Sequence, residues 1–374
     1  MFKSFFMGGF ECSTHTLSSG KRLDLIAATH HDRHVRDDYA RVQTLGIMTV
    51  RDGLRWHLIE QQSGFYDFSS VLPMIHAARD LGIQVIWDVC HYGYPNHLDI
   101  FSPAFVRHYQ RFVRAFAQLL RDETDDVPFI CPVNEISFFA WAGGDSGHLN
   151  PYAEGRSFEL KQQLVRAAIE GIETLWDVNM ETRIIHCDPL IHIVPNPERP
   201  YEHDEALGYH NAQYQAWDML SGRLCPELGG QPEYLDIMGV NYYPGNQWIY
   251  KGETVTQEHP SHRPLSDLLL EIYTRYQRPL FIAETSVEDE ARVPWLQYIG
   301  SEVRAVLAMQ VPFHGICWYP ILNHPGWVND RHCHNGLWDY CDDTGKRPLV
   351  TPLAYEWVRQ QMLLHQTFQS LIAT

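Results

Sequence analysis

Val127-Pro128-Phe129-Ile130-Cys131-Pro132-Val133-Asn134-Glu135-Ile136-Ser137 is a short apolar run, bounded by prolines, that turns abruptly polar at its end. It reads as a buried strand that delivers an amide and a carboxylic acid side by side. In a (β/α)₈ barrel the strand bodies fill the core and the C-terminal strand ends carry the chemistry, which suits this plan. Pro279-Leu280-Phe281-Ile282-Ala283-Glu284-Thr285 repeats it with a second carboxylic acid. Glu135 and Glu284 are therefore expected to face each other across one barrel mouth.

Outward from these two stretches, further strands are predicted over 5–12, 47–56, 83–89, 183–188, 234–243 and 314–319. Helices are predicted over 35–45, 68–81, 157–176, 203–220, 265–276, 294–309 and 352–368. Another starts at Ser102-Pro103, a cap followed by a first-turn proline, with Phe105, Tyr109, Phe112, Val113, Phe116 and Leu120 at helical spacing. Gly82 is placed to cap the 68–81 helix. Eight strand-then-helix units imply a parallel sheet closed as one (β/α)8 TIM barrel over 1–374, an α/β fold with no leftover segment for a second domain. No Gly-rich phosphate loop follows the first strand, which weakens a dinucleotide-binding alternative. The longest loops, 141–156, 189–201, 244–264 and 320–347, all belong to the C-terminal face. They are rich in the Trp, Tyr, His, Asn and Gly that stack on and hydrogen-bond to sugars.

The chain is 45% hydrophobic with a net charge of −17. That charge argues against nucleic acid or an anionic membrane surface as partner. No apolar run approaches a membrane span or a signal peptide. The eight cysteines stand singly with no CxxC pair, as expected of free thiols packed in a reducing cytoplasm. No metal or cofactor is expected. His30-His31-Asp32-Arg33-His34 reads as a solvated stretch at a helix start, and Arg331-His332-Cys333-His334 lacks a spaced second half for a zinc site. The sequence does not decide between a monomer and a homo-oligomer.

Two carboxyl groups about 5 Å apart, one nucleophile and one acid/base, are what cleavage of a glycosidic bond with retention needs. In such a pair the charge of an ionised carboxylate encourages its facing partner to stay protonated.

Asn134-Glu135 and Glu284 at these strand ends resemble the signature of clan A retaining glycoside hydrolases, and the chain is most similar to the family-1 β-glycosidases. The resemblance implies a carbohydrate or glycoside substrate, with Glu284 as nucleophile and Glu135 as acid/base. Val50-Arg51 to Trp56 is similar to the second-strand segment whose arginine contacts the nucleophile, which implies that role for Arg51. Cys90-His91-Tyr92-Gly93-Tyr94-Pro95 resembles the segment whose histidine binds the sugar, here His91. Asn134 would take the sugar 2-hydroxyl. Gly239-Val240-Asn241-Tyr242-Tyr243 resembles the sixth-strand segment, implying that Tyr243 bonds the nucleophile and Asn241 stands at the sugar. Cys317-Trp318 resembles the tryptophan that floors the sugar.

Three departures from the family pattern stand out. Ile136 replaces the proline after Asn-Glu. Glu11, with His15 nearby, stands where the family has a sugar-gripping glutamine. The Glu-Trp pair after strand eight has lost its glutamate, leaving Asn323, His324 and Trp327 as substitutes. Trp141 is expected as a stacking platform. Asp145 and His148 are candidates for an acceptor subsite, while His186 and Asp188 end the fifth strand either as pocket residues or as a satisfied pair at the barrel rim. Glu11, Arg51, His91, Glu135, Asp188, Tyr243, Glu284 and Trp318 are expected on one rim. Alternatives are a transglycosidase using the same glutamates with the Phe138-Phe139-Ala140-Trp141 run at its acceptor site, a non-catalytic sugar-binding barrel and, less favoured, a metal-dependent hydrolase.

Overall fold

A computed structural model describes residues 1–372. The last two residues of the expected domain, 373 and 374, lie outside the described residues. Eight parallel strands close on themselves: β1 (Phe6–Gly9), β2 (Thr49–Gly53), β3 (Gln84–Asp88), β4 (Phe129–Cys131), β5 (Arg183–Pro189), β6 (Ile237–Asn241), β7 (Leu280–Thr285) and β8 (Phe313–Trp318). β8 returns to β1 with Phe6 opposite Ile316 and Gly8 opposite Trp318. The expected (β/α)₈ barrel is therefore the observed fold.

Alternation along the strands sorts the side chains into two cores. Met7, Ile86, Phe129, Cys131, Ile185, Cys187, Ile237, Phe281, Ala283 and Cys317 fill the barrel interior. Their strand neighbours, among them Val50, Val85, Trp87, Ile130, Val240, Ile282 and Trp318, face the surrounding helices. Those helices include α1 (His31–Gln43), α2 (Leu72–Leu81), α3 (Pro103–Glu123), α4 (Ser157–Val178), α5 (Gln215–Leu220), α6 (Leu265–Tyr276), α7 (Arg292–Ala308) and α8 (Thr351–Ile372). Ser102 caps α3 by accepting from the Ala104 N–H, and Gly82 ends α2 at φ 67.

One break in the alternation matters for the site. Val240 pairs with Ile282, but Asn241 pairs with Glu284, so β7 carries one residue more than β6 at this point. Such a bulge re-aims side chains. Ala283 and Glu284 both point into the barrel, and Thr285 turns outward to accept from Trp295 Nε1 on α7 at 2.9 Å.

Four expectations about elements are corrected. β1 stops at Gly9, so Glu11 lies in coil. The 203–220 stretch is not one helix but three consecutive pieces: His203–Asn211, Ala212–Tyr214 and α5. An unexpected helix, Ile136–Gly144, starts directly after Glu135. It is apolar on nearly every side, so no amphipathic stripe marks it, and it packs against α4 and β5. Finally, α1 begins at His31, which is not a solvated residue. It is 1% exposed and bonds Asp38 Oδ2 and Asp52 Oδ2, each at 2.8 Å.

Candidate active site

Arg51 is the hub beneath the barrel mouth. It is fully buried on β2 and reaches three other strand ends. Nη1 donates to the Ala283 carbonyl at 2.8 Å and to Glu284 Oε1 at 3.0 Å, while Nη2 donates to Asp88 Oδ2 at 2.7 Å and Asn134 Oδ1 at 3.0 Å. Burial opposes ionisation of Asp88, yet Arg51 and His91 hold its carboxyl below the usual range. Asn134 Oδ1 is thus committed to Arg51, and its Nδ2 faces His91 Nε2 and the Tyr92 hydroxyl, both at 3.2 Å. An amide N–H can only donate. On the other side of the ring, His91 Nδ1 lies 3.3 Å from Asp88 Oδ2 and 3.2 Å from Cys12 Sγ.

The two glutamates share a cavity of about 750 Å³ but live in different surroundings. Glu284 touches the Arg51 guanidinium, and its Oε2 accepts from the Tyr243 hydroxyl at 3.0 Å. Among the described residues no cation pairs with Glu135. Its Oε1 accepts from Asn241 Nδ2 at 2.9 Å and its Oε2 is bonded by the Tyr92 hydroxyl. Burial and the facing charge of Glu284 push Glu135 up to about 8 against the two hydrogen bonds. Burial also raises Glu284, with Arg51 the main opposing influence. When the pair holds one proton, it rests on Glu135, the partner without a cation.

Glu135 is reached by a strained turn. Its φ is +47, in the left-handed region, where a non-glycine residue costs about 1–3 kcal/mol. The turn is fixed by Glu135 N–H donating to the Cys187 carbonyl at 2.9 Å and by the helix that follows. Tyr92, at φ +66, is held in the same region.

Glu11, His91, Glu135, Tyr243, Glu284, Trp141 and Trp327 line the cavity, and Arg51, Asn134 and Asn241 bond the two glutamates or each other directly beneath it. Glu11 is buried, its Oε1 taken by the Ser13 N–H at 2.9 Å. The structure does not bring Trp318 there. That side chain is wholly buried on the helix side of β8 and donates to the Asn335 carbonyl at 2.7 Å. Tyr319, one residue on, is the side chain that turns inward, its ring centre 5.2 Å from the Arg51 guanidinium. Asn323 is also elsewhere. It bridges the Gly336 N–H (2.8 Å) and Asp339 Oδ1 (2.9 Å) and so braces the β8 loop. Asp188 does not line the cavity. It holds the start of the Ile136–Gly144 helix by accepting from Ser137 N–H at 3.0 Å and Oγ at 2.8 Å. His186 donates to the Tyr234 carbonyl at 3.0 Å. Asp145 lines the cavity and His148 does not.

Residues the sequence reading passed over are Asp88, Tyr92 and Tyr319. Asp88 had a signal, as a lone acid in an otherwise apolar strand end. Tyr92 lies in the Cys90–Pro95 segment, where nothing local marks its hydroxyl as the partner of Glu135.

A search against family models finds no match, and a search of curated protein sequences finds none. Among solved structures the chain is similar to a β-glucosidase from Thermotoga maritima in complex with deoxynojirimycin, at 15% identity and TM-score 0.79. It is likewise similar to a family 1 β-glucosidase from Thermotoga maritima, at 16% identity and TM-score 0.76. A β-glucosidase from Thermotoga maritima in complex with galacto-hydroximolactam gives 16% identity and TM-score 0.78. Each comparison covers 96% of this chain and 98% of the other. The likeness establishes the barrel across nearly the whole chain.

Proposed function

We propose that the chain is a single-domain retaining β-glycosidase, with Glu284 as nucleophile and Glu135 as acid/base. The observation that carries this reading is the unequal pair: two buried glutamates in one cavity, one on a guanidinium and a phenol, the other free of cations and raised to about 8. Glu284, ionised by Arg51 and turned by Tyr243, attacks the anomeric carbon while Glu135 gives its proton to the departing oxygen. The glycosyl ester removes the charge on Glu284. Glu135 can then ionise and take a proton from water as the ester is cleaved. A barrel shared with β-glucosidases solved with deoxynojirimycin and galacto-hydroximolactam is consistent with a carbohydrate substrate.

A second reading, transfer to an alcohol in place of water, is favoured by Phe138, Trp141, Ile191, Tyr209 and Trp248 in the cavity wall. It uses the same glycosyl-enzyme. A panel of 2-deoxy-2-fluoro-β-glycosides with activated leaving groups tests both, because such substrates slow release of the glycosyl group more than its capture. Intact-mass and peptide analysis should find one glycosyl group on Glu284. A label on any other residue, or none from any sugar, contradicts the reading.

A further inference from the structure

Lys161 stands in the first turns of α4 and lines the cavity that holds Glu135 and Glu284. Of the chain's five lysines it alone is buried, at 6% exposure. Its ammonium donates to the Ala212 carbonyl at 3.2 Å and to Gln215 Oε1 at 2.9 Å, both neutral acceptors. An ammonium has three donors, so one remains. Among the described residues no carboxylate forms an ion pair with it. The two that act on it by charge, Asp188 and Asp145, are engaged by Ser137 and by the Ser157 N–H. Burial also lifts Asp188 to about 7, so its charge is incomplete near neutrality.

A buried cation with only neutral partners is costly unless an anion completes it. The surrounding wall is aromatic, with Phe138, Trp141, Tyr209 and Trp248 lining the same cavity. A molecule with net charge −17 gives an anion no long-range attraction, so any anion bound here must be recognised locally. We propose that this wall is a leaving-group subsite for an aromatic aglycone bearing a carboxylate, with Lys161 as its counter-ion. The assignment rests on the glycosidase reading and narrows its substrate class.

Calorimetry on the whole protein tests it without turnover. Benzoate, phenylacetate and 3-phenylpropionate are titrated alongside their primary amides and benzenesulfonate. At least one acid should bind roughly tenfold or more tightly than its amide, the size of one charge-assisted hydrogen bond. Lys161→Met should abolish that difference while the amide still binds. Equal affinity of every acid and amide for the wild-type protein, including no binding of either, overturns the proposal whether or not the variant folds. So does an acid preference that survives Lys161→Met. Benzenesulfonate outbinding every carboxylate overturns the carboxylate assignment. Loss of labelling at Glu284 with Lys161-dependent binding intact would instead strike the glycosidase reading alone.

Discussion

Glu135 accepts one hydrogen bond on each carboxylate oxygen, from Asn241 and from Tyr92, and both favour its ionised form. Burial and Glu284 favour the protonated form and prevail, leaving the group near 8. If protonated Glu135 is the acid, kcat/KM falls as pH rises through about 8, since the proton it must give is then lost. Tyr92→Phe removes one of the two interactions that stabilise the anion. The alkaline limb of the profile should therefore move to higher pH, and a limb that stays in place or moves down would remove Tyr92 from this role. A second expectation concerns specificity. Asn323 is spent on bracing its own loop, and Trp327 lines the cavity with its ring against His15. Sugar hydroxyls left unpaired in a buried pocket are costly. Unmodified aryl β-glucosides should accordingly show kcat/KM below about 10⁴ M⁻¹s⁻¹, and faster turnover would show that other residues meet those hydroxyls.

At the scale of elements, α1 is tied to the barrel by charge. His31 links Asp38 on its own helix to Asp52 on β2, and Asp38 also receives Arg347 Nε at 2.7 Å. Burial alone would lower the His31 imidazole, but Asp52 and Asp38 raise it to about 9. A folded-state value above the unfolded one contributes stability that is complete below the unfolded value, about 6.5, and is lost as pH rises through 9. The shift corresponds to about 3 kcal/mol for this fully buried group. Urea unfolding should show the wild type losing stability between pH 6.5 and 9. His31→Gln should be less stable by about 3–5 kcal/mol at pH 6.5 and should lose less stability over that range, keeping only the slope that the raised carboxyl groups Glu135 and Asp188 contribute. Equal slopes for the two proteins would refute the account of this contact. His31 was read as solvated because its second partner comes from a different element, which helical spacing cannot reveal. The expectation for Trp318 rests on the likeness of Cys317-Trp318 to a family motif, and such a likeness does not fix which face of β8 the side chain takes. Period-two alternation assigns faces only relative to a known reference, and a bulge such as that at Ala283-Glu284 resets it without a mark in the sequence.

Across the whole molecule, the architecture was the most legible property. Eight apolar runs separated by amphipathic helices suffice to call for a closed parallel barrel, and the two acid-terminated strands mark the end that holds the shared cavity. Glu135 and Glu284 could be found because each interrupts an apolar run at its end. The wall residues Lys161, Tyr209 and Trp248 could not, since they come from helices and loops far apart in sequence and meet only when the barrel closes. The central claim is that the two glutamates have separate, ordered roles, and azide tests it with activated β-glycosides on two variants. With Glu284→Gly, azide occupies the vacated face and should yield the α-glycosyl azide. With Glu135→Ala, the glycosyl-enzyme should form from good leaving groups and persist, because no base remains to activate water, and azide should intercept it as the β-glycosyl azide. Product NMR reads the anomers directly: opposite anomers from the two variants are predicted, and the same anomer from both, or rescue of neither, would contradict the account.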